Sequence, residues 1–286
     1  MRRRPAGVLS LALALLAAPL AAQQAPSDDS LRIKFLDVGQ ADAILIQLGR
    51  TAVLVDASRG DDIVQYLEEE GVDSLLAAIA SHNHADHIGG MDAVLDSWPV
   101  AAWYSNGHPP VTATDLDVAA QLRQRQTPAP APPWQPLRLG DVRITLWAPP
   151  AVDQAGLNPG DLENNSSIGV LVERGSFKAL MTGDSQQEEL SAWLASRKVP
   201  HVDVLKAAHH GSRNGVIPGW INATRPRVVV ISVGAGNAYG HPDEAALRYY
   251  RTGQRTVLRT DRDGTVVIAV DSSGHYRVST RTPIPR

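Results

Sequence analysis

The sequence predicts an α/β protein in which two half-size units stack sheet on sheet with their helices outside. Three observations carry this. The chain has 286 residues, 43% of them apolar, enough to bury a substantial core. Short apolar runs bounded by turn residues recur along it and read as strands. They come as strands, then helix and strand alternating, then a second run of strands with helices between, which fits stacked sheets better than one doubly wound parallel sheet. There is no internal repeat, and both halves carry chemistry, so they read as one domain.

LRIKFLD at 31–37, DAILIQL at 42–48 and TAVLVD at 51–56 are strands, the last two joined by a tight turn at Gly49-Arg50. DDIVQYLEEEG at 61–71 is a helix, with aspartates at its start and a glycine at its end. LLAAIAS at 75–81 is short enough for a buried strand; a helix at 88–97, a strand near 101–104 and a helix near 115–125 follow. TPAPAPPWQP at 127–136 is too rich in proline for regular structure and forms a linker or a surface-hugging loop. Strands resume at 141–147, 167–173 and 176–182, the last two joined at Arg174-Gly175. A helix at 186–195, strands at 202–206 and 227–232, a helix at 243–251 and strands at 256–260, 265–270 and 275–280 complete the order.

The first residues carry Arg2, Arg3 and Arg4, then an apolar stretch from Val8 to about Leu20, then Ala21 and Ala22. This pattern predicts a secretory signal at 1–22, an unstructured segment at 23–30 and the folded domain at 31–286. The stretch is short and alanine-rich for a spanning helix, and an uncleaved inner-membrane anchor is the alternative. The mature chain is expected to be periplasmic or extracellular, with no membrane attachment after cleavage. Removing 1–22 takes away three arginines and no acid, leaving 24 Lys+Arg against 30 Asp+Glu. A net acidic chain has no general pull on nucleic acid, so stable duplex binding is not expected. The absence of cysteine restricts any metal site to nitrogen and oxygen ligands and excludes a lipoprotein anchor.

Three of the nine histidines fall in SHNHADHIGG at 81–90, where His82, His84, Asp86 and His87 form H-x-H-x-D-H. On an extended segment residues two apart face the same way, so His82 and His84 can grip one ion. Asp86 and His87, at the following bend, can turn to a second. Two adjacent divalent ions clamp attacking and leaving oxygens in hydrolytic sites. Further ligand types stand at predicted strand ends: Asp184 in ALMTGD, His209 and His210 in DVLKAAHHGS, and His241 in SVGAGNAYGH.

H-x-H-x-D-H with Gly89-Gly90, the T-G-D at 182–184 and a late histidine resemble the metallo-β-lactamase superfamily of hydrolases. FLDVGQADAILIQ, VLVDA, SHNHADHIGG, ENNSSIGVLV, LMTGD, DVLKAAHHGS and SVGAGNAYGHP, in order over about residues 31–250, resemble the hydrolase domain of ComEC-type DNA-uptake competence proteins. The resemblance implies an αββα sandwich of two mixed sheets with the site at one edge. It makes His82 and His84 ligands of a first ion, Asp86 and His87 of a second, Asp184 the bridge and His241 the completion of the second site. One ligand differs from the wider superfamily. The usual further first-site histidine is missing before Asp184, where only His108 stands, and ENNSS at 163–167 occupies its expected place. The resemblance hands that role to one of His209 and His210, since neighbours at a strand end point opposite ways.

Asp56 matches the family's aspartate that orients a metal-binding histidine, although an ordinary strand-end acid reads equally well. Asp37, Gln40 and Asp42 match the family's opening motif or stabilise a turn. Asn164, Asn165 and Ser166 either hold substrate oxygens or shape a loop. Lys206 either neutralises an anionic substrate or is solvated surface. His108, His201 and His275 are surface residues and the tryptophans are core. The implied reaction is hydrolysis by a hydroxide bridging two divalent ions, zinc ahead of manganese, with Asp86 orienting the nucleophile. A phosphodiester, small or nucleic-acid, is the expected substrate. The rivals are a β-lactamase or lactonase acting on acyl bonds, and a non-catalytic metal-binding partner of an uptake apparatus.

Overall fold

Apolar residues occupy both faces of most strands, because each sheet is covered twice. The computed structural model describes residues 29–281, so the expected signal and most of the 23–30 segment lie outside the described residues. The first sheet begins with antiparallel β1 (Leu31–Phe35), β2 (Ala43–Leu48) and β3 (Thr51–Ala57). Helix α1 (Asp62–Glu69) returns the chain, so β4 (Ser74–Ile79) lies parallel to β3; α2 (Ala85–Ile88) and α3 (Met91–Ser97) then lead to the parallel β5 (Trp103–Tyr104). A capping box between Thr112 and Asp115 opens α4 (Ala113–Arg125).

The second sheet repeats this plan. Antiparallel β6 (Leu137–Leu139), β7 (Val142–Trp147), β8 (Gly169–Arg174) and β9 (Phe177–Met181) come first, with α5 (Pro159–Asn164) between β7 and β8. Helix α6 (Gln187–Ala195), β10 (Val204–Lys206), α7 (Pro218–Thr224), β11 (Val228–Ile231), α8 (Glu244–Arg251) and β12 (Thr256–Arg259) follow, with β9 to β12 all parallel. A helical turn, α9 (Thr260–Asp263), sends β13 (Thr265–Val270) and β14 (Tyr276–Arg281) back to the first sheet, where β13 pairs with β1. The orders are β14-β13-β1-β2-β3-β4-β5 and β12-β11-β10-β9-β8-β7-β6, seven strands each.

Three buried clusters define the layers. Ile33, Phe35, Ile46 and Val55 meet Ile144, Val172, Phe177 and Val230 between the sheets. Leu45, Leu54 and Ala78 pack under Ile63, Leu67 and Met91 on one outer face. Leu180, Leu205 and Val229 pack under Leu190, Trp193, Leu247 and Tyr250 on the other. Each fully buried aliphatic side chain contributes about 1.5–3 kcal/mol, so both faces of β10 and β11 are needed for stability. This is the expected αββα sandwich. The proline-rich stretch has neither helix nor strand and covers the β5 edge, with Trp103 N donating to Pro128 O at 2.8 Å.

The expected order holds, with five additions: β6, α2, α5, α7 and α9. Parallel β3, β4, β9, β10 and β11 share a direction within each sheet, and the loops leaving their carboxyl ends gather at one edge of the sandwich. Among the described residues no helix is long and apolar enough to cross a membrane.

Candidate metal centre

Strand β4 stops at Ile79, and the chain bends through Ser81 to Asn83 before α2 turns once. His84 is the helix N-cap in extended backbone, φ −71° and ψ 146°. This brings His82 Nε2 within 3.0 Å of His84 Nδ1. Two nitrogens bound to one zinc at about 2.0–2.1 Å in a tetrahedron stand roughly 3.4 Å apart, so one ion can take both.

The imidazoles are fixed by partners on their far sides. His82 Nδ1 faces Ser81 Oγ at 3.1 Å, and His87 Nδ1 faces Asp56 Oδ2 at 2.8 Å. Asp56 also accepts from Ser81 N and Ser81 Oγ, at 2.7 and 2.8 Å. His210 Nδ1 donates to Ser232 O at 3.0 Å, and His209 Nδ1 to Asn214 Oδ1 at 2.8 Å. In these rings the Nδ1 contact fixes the orientation and turns Nε2 toward the donor cluster, which is how a ligand histidine is positioned.

Those Nε2 atoms converge on Asp184. Its Oδ2 lies 3.3 Å from His87 Nε2, 3.4 Å from His210 Nε2 and 3.8 Å from His209 Nε2. Asp86 Oδ2 is 3.5 Å from His210 Nε2. Donor atoms within 4.8 Å of one another form overlapping groups: His82, His87 and Asp184; Asp86, His87 and His210; Asp42, Asp184 and His210. The Thr-Gly-Asp turn allows this approach because Gly183 has φ +50° and a Cβ there would stand 2.7 Å from Ser81 Oγ.

These residues fit divalent metal. His87 Nε2 and His210 Nε2 are buried without a hydrogen bond, a cost that coordination would remove. Four carboxylates, Asp42, Asp56, Asp86 and Asp184, outnumber the ammonium of Lys206. Burial opposes charge on His87, yet Asp184 and Asp56 outweigh it and hold the imidazole well above its ordinary range. Burial would also raise Asp184, and His210 and His87 overcome it to keep that carboxyl well below its ordinary range. Burial, then the charge of His87, lowers His82 well below its ordinary value, so His82 is a neutral imidazole. The site thus draws cationic charge to its centre.

A family model of the metallo-beta-lactamase superfamily matches residues 36–234. The chain belongs to this superfamily. It is similar to ComE operon protein 3 of Bacillus subtilis (strain 168), 26% identical over 258 residues that cover 82% of this chain and 32% of that protein. Competence protein ComA of Neisseria gonorrhoeae is 28% identical over 262 residues, covering 88% of this chain and 34% of that protein. The chain therefore spans about a third of the length of these relatives, and the ComEC-type resemblance holds. The metallo-beta-lactamase fold protein YhfI from Bacillus subtilis matches in fold, with a TM-score of 0.51 at 16% identity, covering 88% of this chain and 100% of that one.

Within this superfamily framework the structure places several of the expected residues differently. His209 and His210 do not point opposite ways. They lie in a tight turn with left-handed backbone, φ 49° and 51°, rather than on a strand, and both rings face Asp184. His210 stands with Asp86 and His87 instead of replacing a first-site ligand beside His82 and His84. His241, like His84, stands outside the donor groups; it stacks on Tyr239 and lies 5.7 Å from His209 between ring centroids. Lys206 is 1% exposed, paired with Asp42 and donating to Gly183 O at 3.2 Å, so it neutralises the protein's own carboxylates. Burial lowers it, but Asp42 and Asp184 more than compensate and raise its pKa. Asn165 uses both ends of its amide on α6, accepting from Gln186 N and Glu189 N and donating to Gln186 and Glu188 side chains, which leaves nothing for substrate.

Other residues at the site carry no sequence signal strong enough to find them. Ser81 joins Asp56 to His82 and His87. Ser167 Oγ accepts from Asp184 N at 3.1 Å and holds the shared carboxylate. Glu163, in the stretch where a histidine was sought, accepts from Asn83 N at 2.7 Å and pairs with His108 at 2.6 Å, tying the motif bend in place. Arg59, 58% exposed, reaches within 3.7 Å of Asp86 at the rim. A Cβ on Gly89 would stand 2.2 Å from Arg59 O, so the glycine pair lets that loop lie against the motif.

Proposed function

We propose that this superfamily member is an exported hydrolase of phosphodiesters that works with two divalent ions, zinc ahead of manganese. The observation that carries the reading is the Asp184 carboxylate, faced by His87 and His210 and grouped as well with His82. His82 and His84 would hold one ion, Asp86, His87 and His210 the other, with Asp184 shared. Bound divalent ions lower the pKa of coordinated water toward neutrality and polarise an ester oxygen.

The chain's own residues then orient and compensate. Asp56 and Ser81 fix the tautomers of His87 and His82, Lys206 neutralises Asp42, and Asp86 lies at the open side where a nucleophile is oriented. Arg59 offers an exposed guanidinium for an anionic substrate, which supports a phosphodiester over a neutral lactone. Similarity to proteins named for competence supports the same choice. The test is a panel of bis-p-nitrophenyl phosphate, single- and double-stranded DNA, nitrocefin and a lactone, with Zn²⁺ or Mn²⁺. The expected result is phosphodiester turnover that Asp184→Ala abolishes. Turnover of nitrocefin or the lactone alone would overturn it, and a chain that takes up metal but cuts nothing would be a binding module.

A further inference from the structure

The loop after β11 presents an exposed aromatic ring on a rigid mount. Tyr239 is 64% exposed, and its ring stacks on His241 with centroids 5.8 Å apart and planes inclined by 16°. Asn237 knots the loop: its Nδ2 donates to Gly234 O and His241 O, at 2.9 and 2.7 Å, and its Oδ1 accepts from His241 N at 3.0 Å. The loop base is tied to the opening motif, with Gly234 N donating to Gln40 Oε1 at 3.1 Å, and to Thr260 Oγ1 through Val233 N at 2.8 Å. A tyrosine held this way loses little entropy on binding, so its outer face is prepared for a flat partner.

A chain of contacts links the ring to the candidate metal centre. Arg59 lies 3.7 Å from Asp86, and Asp86 3.5 Å from His210. His210 and His209 have centroids 6.3 Å apart, His209 and His241 5.7 Å, and Tyr239 follows. An anion seated over the central donors therefore lies in a cluster whose contacts run both to a guanidinium and to an aromatic face. An anionic group with a planar ring close by is the chemistry of a nucleotide.

We infer that Tyr239, backed by His241 and mounted by Asn237, is the platform on which an unpaired nucleobase stacks, while Arg59 binds the phosphate of the same substrate. This deepens the phosphodiesterase reading and rests on it for the location of the phosphate. A base stacked in a duplex has no free face, so the platform selects single-stranded or mononucleotide substrates. Tyr239 then sets preference by binding, without touching the reacting atoms.

Calorimetric titration of the Zn²⁺-supplied chain with thymidine 5′-monophosphate and with 2-deoxyribose 5-phosphate tests this, since the two differ only in the base. The nucleotide should bind about tenfold tighter to the wild type, the scale of one base–aromatic stack. Tyr239→Ala should erase that difference, Tyr239→Trp should keep it, and Arg59→Ala should weaken both ligands alike. Equal affinities in the wild type, a base preference surviving Tyr239→Ala, or no binding of either ligand would overturn the inference. A base preference that depends on Tyr239 in a chain that hydrolyses no phosphodiester would uphold the platform and remove the proposed activity instead.

Discussion

His87 is held between two carboxylates: Nδ1 lies 2.8 Å from Asp56 Oδ2, and Nε2 lies 3.3 Å from Asp184 Oδ2. The inner contact fixes the tautomer that makes the outer nitrogen a ligand. Asp56→Asn keeps the size of the side chain but loses the charge-assisted bond, and it should weaken metal affinity about 10- to 100-fold. Competition against a chromogenic chelator measures this. An affinity equal to wild type would show that Asp56 is an ordinary strand-end acid.

Gly89→Ala sets two effects against each other. The position is helical, φ −60°, where alanine is favoured over glycine by about 1 kcal/mol. A Cβ there would nonetheless meet Arg59 O at 2.2 Å, and overpacking of that kind costs about 1–3 kcal/mol. The variant should unfold at lower urea than wild type; a higher midpoint would mean the 57–60 loop yields freely.

Glu189 is fully buried on α6 and accepts from Ser167 N at 3.3 Å. Burial raises its pKa well above the ordinary 4.5, so the folded chain holds the proton longer than the unfolded one. Its stabilising contribution is complete below 4.5 and is lost as pH rises through the folded value. Glu189→Gln is neutral throughout. Denaturant unfolding from pH 4 to 8 should show the variant gaining on wild type as pH rises, whereas parallel curves would contradict a raised folded value.

Lys206→Met leaves Asp42 and Asp184 without their buried counter-charge. Breaking a buried pair from one side costs about 3–5 kcal/mol, and the loss should be largest in chelator, where no metal replaces the ammonium. Equal stability of variant and wild type in chelator would mean that Lys206 is not the compensating charge.

The strands were legible because AILI in β2 and VVVI in β11 are buried on both faces and appear as unbroken apolar runs. Helices α5 and α7 were missed although each begins with proline, because six and seven residues are too few to show a helical period. The histidine motif and Asp184 stand out by residue type alone. Ser81, Ser167 and Asp42 do not, since their roles come from strands that only the fold brings together. The directions of His209 and His210 could not be read either, because consecutive left-handed residues other than glycine are strained and rare. His241 reads as a ligand by position, yet its ring stacks on Tyr239 in a loop that Asn237 ties together.

Donors from both sheets stand around Asp184, and on the proposed reading they build one two-ion centre. Elemental analysis of the purified chain after equilibration with Zn²⁺ and removal of free metal tests it most directly. Two zinc ions per chain are expected in the wild type, and at most one in Asp184→Ala. A wild-type chain that retains no divalent metal, or an Asp184→Ala variant that retains the full complement, would contradict it.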